Sequence, residues 1–392
     1  MIKQISDNRI SQLALLLIAV LLILFRETGL FLQPRFWAEE GQLFYSLSMH
    51  HSFWEVLKMV PVGYPTLFNA ITGSLQVKLC SYESAPALST AFGFLIQLIP
   101  VIIVLFTKCE YWNSPAKKII FVQAIVLFTP PELWLNTTNS HFIFGLSTFL
   151  ILLIDPQHLT RFARLAFNFI IILSVLSGPE SMLLFPFYFW SYSINKNPQR
   201  LTQVIIITFC SLIQGSVLIH SLLFSNNYQR LSANNVNDVL NAFFADNFSL
   251  NTGRSYIGMI MLAILVLILF YSKNRSGQTV LIGSFLIVAI FSTLGSLEMK
   301  GAPRYSYFPS CILFLLILQF ASEYKYSNLF SVNSLAMLII IASLGISLAM
   351  YKYRMHYVYN SELPVWKNEI IKFRKDSTYR PKIHPDYLFV KL

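Results

Sequence analysis

The chain has 392 residues, 55% of them hydrophobic and only 12% charged, with a formal net charge of +11. A soluble domain carries roughly 25% charged residues, so a water-soluble enzyme is excluded. So is a Rossmann-like nucleotide-binding domain, for which the apolar runs leave no room. The basic excess does not mark a nucleic-acid partner either, because it follows the hydrophobic pattern along the chain.

The first element is an apolar run from Ile10 to Phe25 behind Lys3 and Arg9. Arg26-Glu27-Thr28 follows it in place of a small-residue cleavage site, so a retained signal-anchor is expected. Further runs near the ~20 residues that cross a hydrocarbon core predict crossings at 86–106, 119–135, 141–155, 165–177, 181–194, 203–223, 257–271, 278–297, 305–321 and 332–351. With 10–28 these make eleven transmembrane helices in one all-α bundle over residues 1–351. Residues 64–79 are apolar but hold Asn69, Gln76 and Lys78. Counting them as a twelfth crossing would put Lys108, Lys117 and Lys118 outside, so a re-entrant or partial span is expected there.

The charge pattern orients the bundle. Twelve of the 29 Lys and Arg fall in one alternating set of short loops, among them Lys108, Lys117, Lys118, Arg161, Arg164, Lys196 and Arg200. The opposite short loops hold only Lys300 and Arg304. This positive-inside bias predicts a cytoplasmic amino terminus, with membrane lipid headgroups as partners of most of the charge. Three outer segments are then long enough to carry chemistry. Residues 29–63 suit short interfacial helices, with Trp37, Tyr45 and Trp54 spaced among polar residues. Residues 225–256 are Asn-rich, and 352–392 form a tail whose nine basic residues pull against the outside location that crossing parity gives it. Cys80, Cys109, Cys210 and Cys311 are scattered without metal-ligand spacing.

The sharpest local signal is Phe36-Trp37-Ala38-Glu39-Glu40-Gly41. Helical neighbours point about 100° apart, so one carboxylate can face a cavity while the other faces elsewhere. A carboxylate at a partly desolvated interface holds a proton more tightly, which suits it to accept one from a sugar hydroxyl. The plain alternative is that the two acids begin an interfacial helix, where the macrodipole favours them. Asn139 and His141, in Asn136-Thr137-Thr138-Asn139-Ser140-His141, are hydrogen-bonding candidates or simple helix caps. Arg304-Tyr305-Ser306-Tyr307-Phe308-Pro309, behind Lys300, puts a guanidinium at a helix start; it matches phosphate or simply snorkels to headgroups. Glu180, in a very short loop, binds hydroxyls or caps a helix. Arg35, four residues before Glu39, is a candidate ion-pair partner or phosphate ligand. Trp37, His50 and His51 read as interface residues.

An apolar span followed by Phe-Trp-Ala-Glu-Glu-Gly in the first outer loop resembles the GT-C class of polytopic glycosyltransferases, especially bacterial forms with a similar Ala-Glu-Asp-Gly run. The Asn/His run and the late Arg-Tyr-x-x-x-Pro pattern fit the same resemblance, and the size and layout are similar to serotype-converting O-antigen glucosyltransferases. The resemblance implies a sugar donor on undecaprenyl phosphate and an inverting single displacement. It further implies a glycan or lipid-linked glycan acceptor, such as O-antigen, at the periplasmic face of a bacterial inner membrane. An acid of the first loop, Glu39 or Glu40, would be the base; this chain has Glu40 where the pattern has Asp. Arg304 with Tyr305, Lys300 and Arg35 would hold the phosphate, and Asn139, His141 and Glu180 would contact sugar. The chemistry requires no metal, although the acidic pair could hold Mg²⁺ or Ca²⁺ loosely. Rival readings are an O-antigen polymerase, a transporter or flippase of lipid-linked glycans, and an assembly subunit. The first expects Arg-rich outer loops, and the second expects internal repeats and intramembrane charges.

Overall fold

The computed structural model describes residues 9–224, 236–250, 255–271, 275–296, 303–323, 332–356, 364–385 and 387–392. Within them the chain is helical, and two isolated bridges, Trp37 with His384 and Lys382 with Phe389, are the β-type pairings. The long helices are α1 (Arg9–Arg26), α2 (Leu67–Leu79), α3 (Ala85–Phe106), α4 (Pro115–Leu127), α5 (Ser140–Leu153), α6 (Arg161–Val175) and α7 (Phe185–Asn195). They continue with α8 (Pro198–Phe224), α9 (Val236–Asn247), α10 (Ser255–Tyr271), α11 (Arg275–Ser296), α12 (Pro303–Glu323), α13 (Val332–Ala349) and α14 (Trp366–Lys375).

Each expected span overlaps a helix, because aliphatic runs carry them and turn residues stop them, although the bounds differ, as for α4, which ends at Leu127 within the expected 119–135. Pro130-Pro131 follows α4, and Ser177-Gly178-Pro179 follows α6. Ser114 caps α4 by accepting from the backbone N–H of Lys117, with Pro115 in the first turn, and Thr160 caps α6 through Ala163. Among the described residues, four stretches are long and apolar enough to cross a membrane: α1, α3, α8 and Thr279–Ser296 of α11. Large apolar side chains point away from the protein, among them Leu17 on α1, Phe162 on α6, and Phe209 and Leu212 on α8. That outer surface suits hydrocarbon. Other helices, such as α4 with 13 residues and α7 with 11, are shorter than the expected spans: Pro130-Pro131 bars α4 from continuing, and α7 begins only at Phe185 with Pro186 in its first turn.

Contacts divide the bundle into two ends. At one, the buried Arg26 guanidinium closes α1 by donating to the carbonyls of Thr129 (2.6 Å) and Tyr351 (3.1 Å), lying between the rings of Trp134 and Tyr351. At the other, Arg200 donates to the carbonyls of Leu152 and Ile154, and Lys118 donates to that of Leu105. A cation at a helix carboxyl end satisfies orphan carbonyls and meets the negative pole of the macrodipole. The short-loop basic residues Lys108, Lys117, Lys118 and Arg200 lie at this second end.

Helix α2 does not traverse the bundle. Its first residues, Leu67 and Phe68, donate to the carbonyl of Leu176 and the hydroxyl of Ser177 at the Arg26 end. At its far end the Tyr82 carbonyl accepts from Trp366, in the tail that packs on the first loop at this same end. Its buried Gln76 donates to Ala85 and Ser89 of α3. Of the polar residues that set 64–79 apart, Gln76 thus ties this helix to the start of α3.

Two of the outer segments hold helices in the structure. The Asn-rich segment 225–256 is not all loop. Val236, Leu240, Phe243 and Phe244 recur at helical spacing, and α9 forms there, packed on α10, α11 and α12. Its Asp246 accepts from Ser296 and its Asn247 donates to Thr293 (2.8 Å). The tail is likewise no loose appendage, since α14 and the strand-like run after it pack on the first loop.

Helix α3 runs so close to the turn after α4 that a Cβ on Gly93 would stand 2.3 Å from the Leu135 carbonyl carbon and 2.6 Å from the Asn136 nitrogen. Backbone cannot retreat as a side chain can. Gly93→Ala is therefore expected to lower the thermal midpoint in detergent, by the equivalent of about 1–3 kcal/mol or more. Gly215→Ala on α8, where nothing lies within 4 Å, is expected to leave the midpoint unchanged or slightly raised.

Candidate functional site

The first loop folds as short pieces: Gly29–Leu32, a π-helical turn Glu40–Tyr45, Ser46–His50 and Phe53–Met59. The turn opens at Ala38, whose φ of 42° lies in the left-handed region. For a residue with a Cβ this costs about 1–2 kcal/mol, offset here by hydrogen bonds on both sides. The Ala38 N–H donates to the His384 carbonyl at 2.6 Å, and the Ala38 carbonyl accepts from Gln42.

Glu40 turns inward and is 3% exposed. Its Oε1 accepts from the backbone N–H (2.5 Å) and hydroxyl (2.8 Å) of Thr137, and its Oε2 accepts from the Trp37 N–H (2.9 Å). Burial pushes its carboxyl up to about 7, against the opposing pull of the Thr137 and Trp37 hydrogen bonds. Glu40 therefore rivets the loop to the turn before α5. Its neighbour Glu39 faces the other way, into a cavity of about 640 Å³.

Several parts of the chain line that cavity. The first loop supplies Trp37 and Glu39, the turn before α5 and the start of α5 supply Glu132, Asn139 and His141, α12 supplies Arg304 and Tyr305, and the tail supplies His384 and Tyr387. Of the residues singled out in the sequence, the structure thus brings Glu39, Asn139, His141, Arg304 and Tyr305 together. Glu40 and Glu180 sit behind the wall. Arg35 is half-buried and does not line the cavity, and Lys300 lies outside the described residues. Trp37, expected at the interface, lines the cavity.

Arg304 stands at the second position of α12, with its guanidinium 5.4 Å from the Tyr305 ring and 3.5 Å from the Glu132 carboxylate. Here the helix presents its positive pole, the reverse of the setting of Lys118 and Arg200. A cation at an amino end adds to positive potential and so calls for an anion; Glu132 fills that role in the structure. The Glu132 backbone carbonyl also accepts from the side-chain amides of Asn136 (2.7 Å) and Asn139 (2.8 Å), which shapes the turn that carries all three. His141 Nε2 is 3.5 Å from Glu180 Oε1, a contact that needs a glycine at 178: a Cβ there would meet the His141 Cβ at 2.3 Å. Glu180 is buried and its Oε2 has no hydrogen-bond partner; burial pushes its carboxyl up to about 8.

The sequence reading passed over Glu132, His384 and Tyr387. A lone acid beside Pro130-Pro131, in a chain with 12% charged residues, was the available signal for the first; nothing local marks the other two. A second cavity of about 690 Å³ opens at the opposite end, lined in part by Lys118, Asp155 and Arg200. Its buried cations are already engaged at helix carboxyl ends, so the smaller cavity is the better candidate for charge chemistry. Among the described residues, no three or more His, Cys, Asp or Glu are grouped to hold a metal ion. No protein-family model, curated protein or solved structure matches the chain.

The raised carboxyls of Glu40 and Glu180 make stability depend on pH. An unfolded glutamate ionises near 4.5, whereas these need about 7 and about 8 in the folded chain. The unfolded state therefore binds fewer protons between those values, and stability that is complete below 4.5 drains away as pH rises to about 8. Thermal midpoints in detergent across this range are expected to fall with pH in the native protein and to fall less steeply in Glu180→Gln.

Proposed function

We propose that the protein is a multi-pass membrane glycosyltransferase that moves a sugar from a polyprenyl-phosphate carrier to a hydroxyl of a glycan acceptor. The observation that carries this reading is one cavity holding both an acid of the first loop, Glu39, and the guanidinium at the start of α12, Arg304. In the proposed step the Glu39 carboxylate takes the proton of the acceptor hydroxyl. The hydroxyl oxygen bonds to the anomeric carbon as the bond from that carbon to the phosphate oxygen breaks. The electron pair leaves with polyprenyl phosphate, and Arg304 at the positive end of α12 meets the charge that develops there. Phosphate is a good leaving group, so the step needs no metal.

Access favours Glu39 over Glu40 as the base. A base must come within about 2.6–3.2 Å of the proton it takes, and both oxygens of Glu40 are occupied by Thr137 and Trp37 behind the cavity wall. Glu132 is the other acid in the cavity, and its place against Arg304 makes it the stand-in that donor phosphate displaces. Tyr305 and Asn139 sit where they would steady phosphate and sugar. His141, backed by Glu180, would present its ring to a hydroxyl.

The orientation belongs to the same proposal: eleven crossings in a bacterial inner membrane, amino terminus in the cytoplasm and cavity towards the periplasm. It draws support from the basic short loops lying at the bundle end opposite the cavity. The lipid carrier would be undecaprenyl phosphate and the acceptor O-antigen or a related surface glycan.

Glu39→Gln is expected to cut transfer by about 10²-fold or more while the protein stays inserted. Arg304→Ala is expected to weaken use of the lipid donor, and Arg304→Lys to restore it only in part, because an ammonium lacks the paired donors. Full transfer by Glu39→Gln would overturn the base assignment. Surface polysaccharide from cells with and without the protein checks the class: a missing sugar branch is the expected result, whereas shortened chains would favour polymerisation and an unchanged glycan would reject both.

A further inference from the structure

The tail is anchored at several points between Trp366 and Lys391. Trp366 and Ile370 of α14, with Ile383 and Val390, pack on Phe36 and Tyr45 of the first loop and on Ala85. The Trp366 indole donates to the Tyr82 carbonyl (2.7 Å), and Arg374 pairs with Glu83 (2.5 Å). The buried Glu369 accepts from Lys372 (2.6 Å), the Tyr379 hydroxyl (2.5 Å) and the Lys382 N–H (3.0 Å), tying α14 to the run after it. Near the carboxyl end, the Lys391 N–H donates to the Ser46 hydroxyl (3.0 Å).

This frame delivers His384 to the acid of the first loop. The His384 carbonyl takes the Ala38 N–H, the His384 N–H donates to the Phe36 carbonyl (3.4 Å), and the His384 ring lies 4.6 Å from that of Trp37, tilted 33°. The cavity is consequently two-sided. Glu132 and Arg304 give the bundle side its charge, while Trp37, His384 and Tyr387 give the tail side aromatic surface. A sugar ring has an apolar face of C–H groups and a rim of hydroxyls. Flat aromatic rings with a wet edge match it, because they offer large contact area at little entropy cost. The tail side is also the watery one, with Lys367, Lys375, Arg380 and Lys382 all exposed. A lipid-borne donor would approach from the bundle side, where Arg304 stands, which leaves the tail side to the glycan acceptor.

We propose that the tail builds the acceptor subsite of this cavity, where a sugar ring of the acceptor glycan lies on the Trp37 ring, with the buried His384 ring packed against that ring to hold it and Tyr387 at the mouth. The proposal rests on the sugar-transfer reading and adds to it the face on which the acceptor is recognised. It also makes the tail a positioning element for Glu39, whose neighbour Ala38 it holds by hydrogen bond.

The test uses the full chain in detergent with two separate probes: undecaprenyl phosphate for the donor side, and free glucose, galactose and N-acetylglucosamine, followed by saturation-transfer NMR, for the acceptor side. Tyr387 is 76% exposed, so Tyr387→Ala leaves the packing intact; Trp37→Ala removes the platform, and Trp37→Phe keeps an aromatic face. At least one sugar is expected to receive saturation from the native protein. The alanine variants should lower it about fivefold, equivalent to roughly 1 kcal/mol of ring contact. Trp37→Phe should restore most of it, and undecaprenyl-phosphate affinity should stay within about twofold throughout. Sugar binding that is absent from the native protein, or that persists in both alanine variants, overturns the subsite. If undecaprenyl phosphate still binds in that case and Arg304→Ala weakens it, only the subsite falls. If undecaprenyl phosphate does not bind the native protein, the transfer reading itself falls.

Discussion

The site depends on the burial of one carboxylate. Taking Glu40 out of water is affordable because Thr137 supplies two hydrogen bonds and the Trp37 N–H a third, with the Ser89 side chain contributing as well. Those bonds fix the first loop against the turn before α5, and that turn is in turn fixed by the close backbone approach of α3 at Gly93. With Glu40 turned inward, Glu39 has to turn outward into the cavity. The two acids are adjacent in sequence and opposite in placement: one rivets the loop and the other lines the cavity.

Helix polarity sorts the cations in the same way. Arg26, Lys118 and Arg200 each end at backbone carbonyls near helix carboxyl ends, where their charge offsets the macrodipole and satisfies orphan acceptors. Arg304 stands at a helix amino end, where its charge adds to the dipole. Holding an anion relieves that arrangement, and Glu132 supplies one. Lys or Arg in an apolar chain is thus no functional signal by itself; the end of the helix it occupies decides what it does.

Much of the helical framework was legible. Aliphatic runs, proline pairs and Ser or Thr caps are local properties, and helices form at every expected span. Among the polar residues that set 64–79 apart in the sequence, Gln76 is buried and bonds to the start of α3. The amphipathic spacing of α9 was also present in the sequence, but it lies among asparagines that read as loop. The candidate residues were legible in part. Glu39, Asn139, His141, Arg304 and Tyr305 share a cavity, whereas Glu40 and Glu180 stand behind it.

The sequence by itself determined that this is a helical chain with surfaces suited to a membrane, because hydropathy and helix stops act within some twenty residues. It also put an acidic pair and a late arginine among the few charges such a chain retains. Only the tertiary structure decided which acid faces the cavity, that Glu132 answers Arg304, and that the tail's His384 and Tyr387 complete the wall. Those outcomes turn on contacts between residues hundreds of positions apart, such as Ala38 with His384. A one-dimensional pattern cannot record them, because they follow from how whole helices pack and which backbone groups are left to be satisfied.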